Sequence, residues 1–334
     1  AVGVTMRLFT PGPGEASERA RQCCGPTAFD DARKAATAAG MPHYVLNFEA
    51  AFQRAVIDYF CDEYLAGRTP NPCIACNNVV KFGVLLDFAR VLGAQTLITG
   101  HYARIVRDEE GGVHLLRAID RTKDQSYMLA GLRTEQLAAV VTPLGEMTKE
   151  QTRELARVWL PALADKPDSM DLCFIDGDYR DFIAQRFPEH SRRGPLITVD
   201  GRTVGEHDGL LGYTVGQRKG IAASELGDGP WYVVRTDRES NAVVIGRRED
   251  LARTRVRCSR ANVLRPDSFD DCGFARGRAV CRYRAASVGA RAMLDGDALS
   301  VEFEEPVAVV SPGQLFVLYD EAGEEVVASG IIEG

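Results

Sequence analysis

The chain has 334 residues, 45% of them hydrophobic and 26% charged, with a net charge of −7. This composition excludes a disordered or fibrous protein and leaves room for two or three domains with cores of their own. No stretch approaches 18 consecutive apolar residues, so no membrane span is expected, and the net charge taken alone speaks against a nucleic-acid partner.

Val2–Phe9 reads as a short buried strand, followed by a Gly/Pro loop over Thr10–Glu15 and a helix over Ala28–Ala39. Pro42–Phe48 reads as a second strand. Ala50–Ala66 has helical periodicity in Phe52, Val56, Tyr59, Phe60 and Tyr64, and stops at Gly67. The two prolines of Arg68–Asn77 predict a loop. Lys81–Leu92 reads as a helix, Thr96–Thr99 as a strand ending on Gly100, and Thr148–Trp159 and Tyr179–Phe187 as further helices. Strands alternating with helices predict a parallel sheet covered on both faces, hence an α/β domain over 1–192.

After Arg193-Gly194-Pro195 the texture changes to short strands punctuated by turns such as Asp200-Gly201 and Pro312-Gly313. Antiparallel sheet is expected, in a small linking domain over 193–249 and a β-barrel over 250–334. Charge divides along the same line. Between Arg247 and Arg291 twelve arginines face five acids, a local +7, so the remainder carries −14. A polyanion touching the C-terminal third is therefore expected despite the acidic total.

Nine cysteines with no framework spacing, and an N-terminus without a signal-peptide pattern, point to thiol chemistry in a reducing, cytoplasmic setting. Cys73 and Cys76 form a C-x-x-C, and Cys173 lies 97 positions beyond Cys76. A zinc site lacks further paired ligands. A dithiol redox motif, an iron–sulfur cluster on Cys73, Cys76 and Cys173, and a two-thiol sulfur relay all remain open. Cys61, Cys258, Cys272 and Cys281 fit the pattern of buried small hydrophobes, and Cys23-Cys24 has no physical reading.

Several polar clusters stand out. Thr99-Gly100-His101-Tyr102 closes a strand, where open α/β sheets bind ligands. Asp120–Tyr127 reads equally as a capped helix start. Thr214–Gly220 is a phosphate-holding turn or an ordinary one, and Arg282-Tyr283-Arg284 is a strand that either stacks a base or faces solvent.

The runs AGRTPNPCIACNNVVKF, TGHYAR, KDQSYML, DKPDSMDLCFI, GEHDGLLGYTVGQRKG, PWYVV, RYR, EPVAVVSPGQ and SGIIEG, in this order, resemble the bacterial tRNA-specific 2-thiouridylases of the PP-loop (adenine-nucleotide α-hydrolase) superfamily. The resemblance implies a Rossmann-like N-terminal domain, a small central domain and an antiparallel C-terminal barrel that binds tRNA. It implies ATP-dependent transfer of sulfur to C2 of the wobble uridine, with Mg2+ accompanying ATP and a persulfide donor protein, a desulfurase or relay protein, as partner. Cys173 would carry the persulfide and Cys76 would be its partner thiol, with a transient disulfide between them. Met6 and Gly100 would touch the adenine nucleotide. Asn71, Pro72 and Cys73 would face the target base, and His101, Lys123, Asp124, Gln125, Arg282, Tyr283 and Gln314 would contact tRNA. Many members carry Asp at the position of Cys73, and the C-x-x-C created here keeps the iron–sulfur version open. The family's Ser-Gly-Gly-x-Asp-Ser pyrophosphate loop does not occur in this sequence, which opens at what resembles the family's second strand, and GPGE at Gly12–Glu15 is no substitute. Either the loop lies outside these 334 residues or the protein lacks it, and only a chain truly without it is expected not to adenylate tRNA.

Overall fold

A computed structural model describes residues 1–10, 26–166, 172–175, 177–188, 192–221 and 229–333. Gly12–Glu15, Cys23-Cys24 and Asp168–Asp171 lie outside the described residues.

The N-terminal part is α/β. Strand β1 (Gly3–Arg7) pairs in parallel with β2 (His43–Asn47), and β3 (Leu97–Ile98) pairs in parallel with β6 (Val140–Val141). Helix α1 (Pro26–Ala38) connects the first pair. A hairpin of β4 (Ala103–Arg107) and β5 (Val113–Arg117) turns through Asp108, whose carboxylate accepts the Glu110 N–H at 3.0 Å and the Gly112 N–H at 2.6 Å.

Helix α2 runs over 49–65 and buries Phe52, Val56, Ile57, Phe60 and Cys61 on one side. It ends at Gly67, whose φ of 72° only glycine adopts without strain. The next segment corrects the sequence expectation. A loop was predicted through Asn77, yet helix α3 spans Pro72–Val91. Asn71 is its N-cap, accepting the Ile74 N–H at 3.3 Å, and Pro72 occupies the first turn, where the missing N–H costs nothing. The proline marked a helix start and not an interruption. Wider π turns cover Gln53–Asp58 in α2 and Cys76–Val84 in α3. By length and composition α3 is apolar enough to cross a bilayer, but here it is a core helix that buries Val80, Phe82, Leu85 and Leu86. Four short helices follow: α4 (Ser126–Leu129), α5 (Thr134–Leu137), α6 (Lys149–Trp159) and α7 (Tyr179–Arg186).

The middle sheet has the order β8-β7-β10-β9, from β7 (Gly194–Thr198), β8 (Thr203–His207), β9 (Tyr232–Asp237) and β10 (Ala242–Gly246). It is mixed where antiparallel sheet was expected, because β10 pairs with β7 in parallel through Val243 and Leu196. Both strands are apolar on both faces and lie inside the sheet, which the local turn signals could not reveal.

The C-terminal strands close a six-stranded antiparallel barrel in the order β11-β14-β13-β12-β15-β16, from β11 (Arg253–Val263), β12 (Phe274–Val280), β13 (Val288–Asp295), β14 (Ala298–Val307), β15 (Leu315–Tyr319) and β16 (Val326–Ile332). Alanines 275, 279, 290, 292 and 328 let the interior be narrow, around Phe303 and Phe316. Strand β15 is buried on both faces, and its period of two explains why. Phe316 and Leu318 fill the barrel, while Leu315, Val317 and Tyr319 join a core shared with Phe82, Leu115, Leu129 and Leu132 of the α/β part. Burying each such side chain contributes on the order of 2 kcal/mol, so barrel and α/β part are held as one packed unit.

Candidate active site

Cys76 and Cys173 both belong to one apolar cluster. Cys76, 7% exposed, sits at the end of the first turn of α3. Cys173 packs partly buried against the same apolar cluster, together with Met6, Phe9 and Leu172. The segment is anchored by its neighbour Phe174, whose ring meets Phe52, Phe60 and Phe182 edge-on at 5.7, 5.4 and 5.6 Å. Cys73, one helical turn before Cys76, is exposed. Among the described residues no group of three His, Cys, Asp or Glu side chains is placed to hold a metal ion.

The other cysteines divide differently from the sequence reading. Cys61, Cys258 and Cys281 are buried, and burial raises all three thiols, Cys281 to about 12. Cys272 was expected to be buried but is exposed in the turn before β12, where its N–H is donated to the Asp270 carboxylate at 2.9 Å.

The loop preceding α3 is held by the barrel. The Gln314 side-chain amide donates to the Thr69 carbonyl at 2.7 Å and to the Pro70 carbonyl at 3.4 Å, while the Thr69 N–H is donated to the Pro312 carbonyl at 2.7 Å. Gln314 is itself buried, so this contact fixes the loop that leads into Asn71 and the buried Pro72. Asn77 adds a bond from its amide to the Met128 carbonyl at 3.0 Å.

Gly100-His101-Tyr102 and Lys123-Asp124-Gln125 form one unit. The Gln125 N–H is donated to the Tyr102 carbonyl at 2.7 Å, and the Tyr102 N–H to the Gln125 side chain at 3.0 Å. The Asp124 carboxylate is committed inward, accepting from the Ala118 N–H and from the Ser126 N–H and hydroxyl, with Arg117 at 3.7 Å. The Tyr283 hydroxyl donates to the Asp124 carbonyl at 3.3 Å, tying the barrel to the same loop. Arg282 is exposed, and the 282–284 segment is a turn beyond β12, not the predicted strand; Arg284 takes a φ of 62°. Thr214–Gly220 is likewise a turn, in which the Gln217 side chain bonds the Thr214 N–H at 3.1 Å and the Lys219 carbonyl at 2.8 Å. Met6 lies near the end of β1, and Gly100 is exposed two residues beyond β3, both at carboxyl ends of parallel strands, where ligands of open α/β sheets sit.

His101 is buried against Phe82, with its Nδ1 2.9 Å from the Thr99 hydroxyl. Burial, helped by the Lys81 charge, lowers its pKa to about 3. The folded protein therefore keeps His101 neutral while the unfolded chain protonates it below about 6.5. Stability is full above that value and is lost as pH falls toward 3, by roughly 2 kcal/mol at pH 5 from this group. Urea unfolding at pH 7 and pH 5 tests this: His101→Gln should remove that share of the pH dependence.

The local +7 of the sequence is diluted in space. Arg255 and Arg291 both bond Glu302, Arg257 pairs with Asp295 at 3.2 Å, and Arg265 pairs with Asp267 at 2.6 Å and Glu325 at 2.7 Å. Sequence reasoning passed over Arg54, Arg260 and Asn262, which line a cleft between α2, α3 and the barrel. Only the bulge in β11 at Arg260, invisible in a strand pattern, directs attention there.

Comparison with known proteins agrees with this architecture. Family models match in succession: a tRNA methyl transferase HUP domain over residues 1–177, a tRNA methyl transferase PRC-barrel domain over 180–247, and an aminomethyltransferase beta-barrel domain over 258–332. They define a three-part protein with an α/β HUP domain followed by two β domains. The tRNA-specific 2-thiouridylase MnmA of Carboxydothermus hydrogenoformans is 44% identical over 335 residues, covering 99% of this chain and 90% of that protein. Those of Moorella thermoacetica (44% over 339 residues, 99% and 92%) and Methylorubrum populi (45% over 327 residues, 96% and 83%) are similar. The chain belongs to the tRNA-specific 2-thiouridylase family.

Proposed function

We propose that this chain is a tRNA-uridine 2-sulfurtransferase that uses ATP as activating cosubstrate and Cys173 as sulfur carrier. The observation that supports the reading is that Cys76 and Cys173, 97 positions apart in sequence, pack in one apolar cluster. A uracil C2 oxygen is a poor leaving group. Adenylation by ATP, with loss of pyrophosphate, makes it part of a phosphate ester. The terminal sulfur of a Cys173 persulfide then attacks C2, and AMP departs with the oxygen. The Cys76 thiolate attacks the Cys173 sulfur, the S–S bond to the new thiouridine breaks, and a Cys76–Cys173 disulfide remains for a dithiol reductant to reopen.

The two thiols differ in setting as such a relay needs. The more exposed Cys173 can meet a protein donor of sulfane sulfur, and the buried Cys76 is kept from stray oxidants. Asn71 and Pro72, fixed by Gln314, would present the target base, and Lys123, half-exposed beside the inward Asp124, would meet the RNA backbone. The test is incubation with a persulfide donor followed by intact-protein mass spectrometry and peptide mapping. One added sulfur on the Cys173 peptide is expected, and an added sulfur on Cys73 alone would overturn the assignment.

A further inference from the structure

The cleft between α2, α3 and the barrel has a volume of about 380 Å³. Its lining includes Arg54 from α2 and Arg260 from β11, with Tyr59 and Asn71 between them, and contains no carboxylate. Both arginines are exposed, and neither pairs with an acid among the described residues, whereas Arg255, Arg257, Arg265 and Arg291 of the barrel all do. Two guanidinium groups with no acidic partner among the described residues, lining one space, together favour an anion there.

Arg260 is also held against its backbone preference. Its φ is 53°, in the left-handed region that a long side chain seldom adopts, and the β11–β16 ladder shifts register between Ser259 and Asn262 around it. The neighbours fasten the bulge from both sides. The Ala261 N–H is donated to the Asp297 carbonyl at 2.7 Å, and the Asn262 amide donates to the Ala130 and Leu132 carbonyls, each at 2.9 Å. A left-handed backbone held in place by that many bonds points to a functional position.

We propose that Arg54 and Arg260 clamp a backbone phosphate of the polynucleotide substrate, next to the nucleotide presented to Asn71. The inference rests on the tRNA reading above and adds a subsite to it. A polymer crossing from the α/β part to the barrel reaches both guanidiniums at once, which favours a phosphodiester over a free mononucleotide. Tyr59, half-buried in the cleft wall, offers an aromatic surface for the adjoining sugar or base.

The experiment is tRNA binding by wild type, Arg54→Gln, Arg260→Gln, Arg260→Gly and the distant control Arg33→Gln over a potassium chloride series, with melting temperatures recorded for each. The expected result is weaker binding for the three cleft variants and a slope of log K against log salt reduced by about 0.7–1 per lost contact. Arg260→Gly relieves the backbone strain, so weakened binding in a variant at least as stable as wild type assigns the loss to the charge. Cleft variants with wild-type slopes overturn the clamp. Variants that lose binding of AMP while keeping the tRNA slope also overturn it, and assign the cleft to a mononucleotide. A wild-type chain that binds no tRNA overturns the tRNA reading and the clamp together, whereas wild-type binding with unaltered variants removes the clamp alone.

Discussion

Cys173→Ser is expected to accept no persulfide and to lower tRNA thiolation by at least ~1000-fold, the scale of losing a nucleophile on which a mechanism depends. Cys76→Ser is expected to lose thiolation as completely, but by a different route. It still loads sulfur on Cys173 and retains it, because no second thiolate is present to break the S–S bond. Both variants should keep tRNA affinity near that of wild type, since the arginines and the Asn71 loop are untouched. Persulfide mapping and quantification of 2-thiouridine in the product tRNA separate the two cases. Full activity in either variant would sink the relay. Cys73→Ser provides the contrast: its side chain is exposed and shares no metal-binding group with the other two, so thiolation should survive. Loss of activity there, together with iron in the purified protein, would instead favour a cluster.

The second large effect is expected at a residue that does no chemistry. Phe174 is 4% exposed and meets three aromatic rings, so Phe174→Ala should cost about 3–5 kcal/mol in urea unfolding. The cavity would open directly beneath Cys173. Sulfur transfer should therefore fall much further than tRNA binding, because the segment carrying Cys173 loses its anchor while the RNA-facing surface stays in place. Phe174→Leu keeps an apolar side chain in the site and should cost less than the alanine variant. It tests the positioning role even if the alanine variant does not fold. A leucine variant that folds and transfers sulfur normally would show that the aromatic anchor is not needed.

Much of the architecture was legible in the chain because it is written in local patterns. Alternation of strands with helices marked the α/β part, and a shift to short strands and turn dipeptides after Arg193 marked the change of architecture. The motif order identified the family. Three misreadings have one cause, which is that a local signal has more than one spatial meaning. Pro72 can break a helix or begin one, and Asn71 as N-cap decides for the beginning. Short apolar strands pair in either direction, and β10 lies parallel to β7 because both are buried inside the middle sheet. Cys272 looked like a strand residue but sits in an exposed turn.

Length and composition established a multidomain globular chain, and the cysteine count established thiol chemistry, since both properties are sums over residues. The net charge of −7 excluded nothing about RNA, because a phosphate responds to the charges around it and not to the total. Nor did the +7 segment locate the binding surface. Asp295, Glu302 and Glu325, lying outside that segment in sequence, neutralise several of its arginines in space. Only the tertiary structure decided which guanidiniums stay uncompensated, and only it set Cys173 beside the cluster that holds Cys76. Both depend on contacts between residues far apart along the chain, and no periodicity or spacing records such contacts.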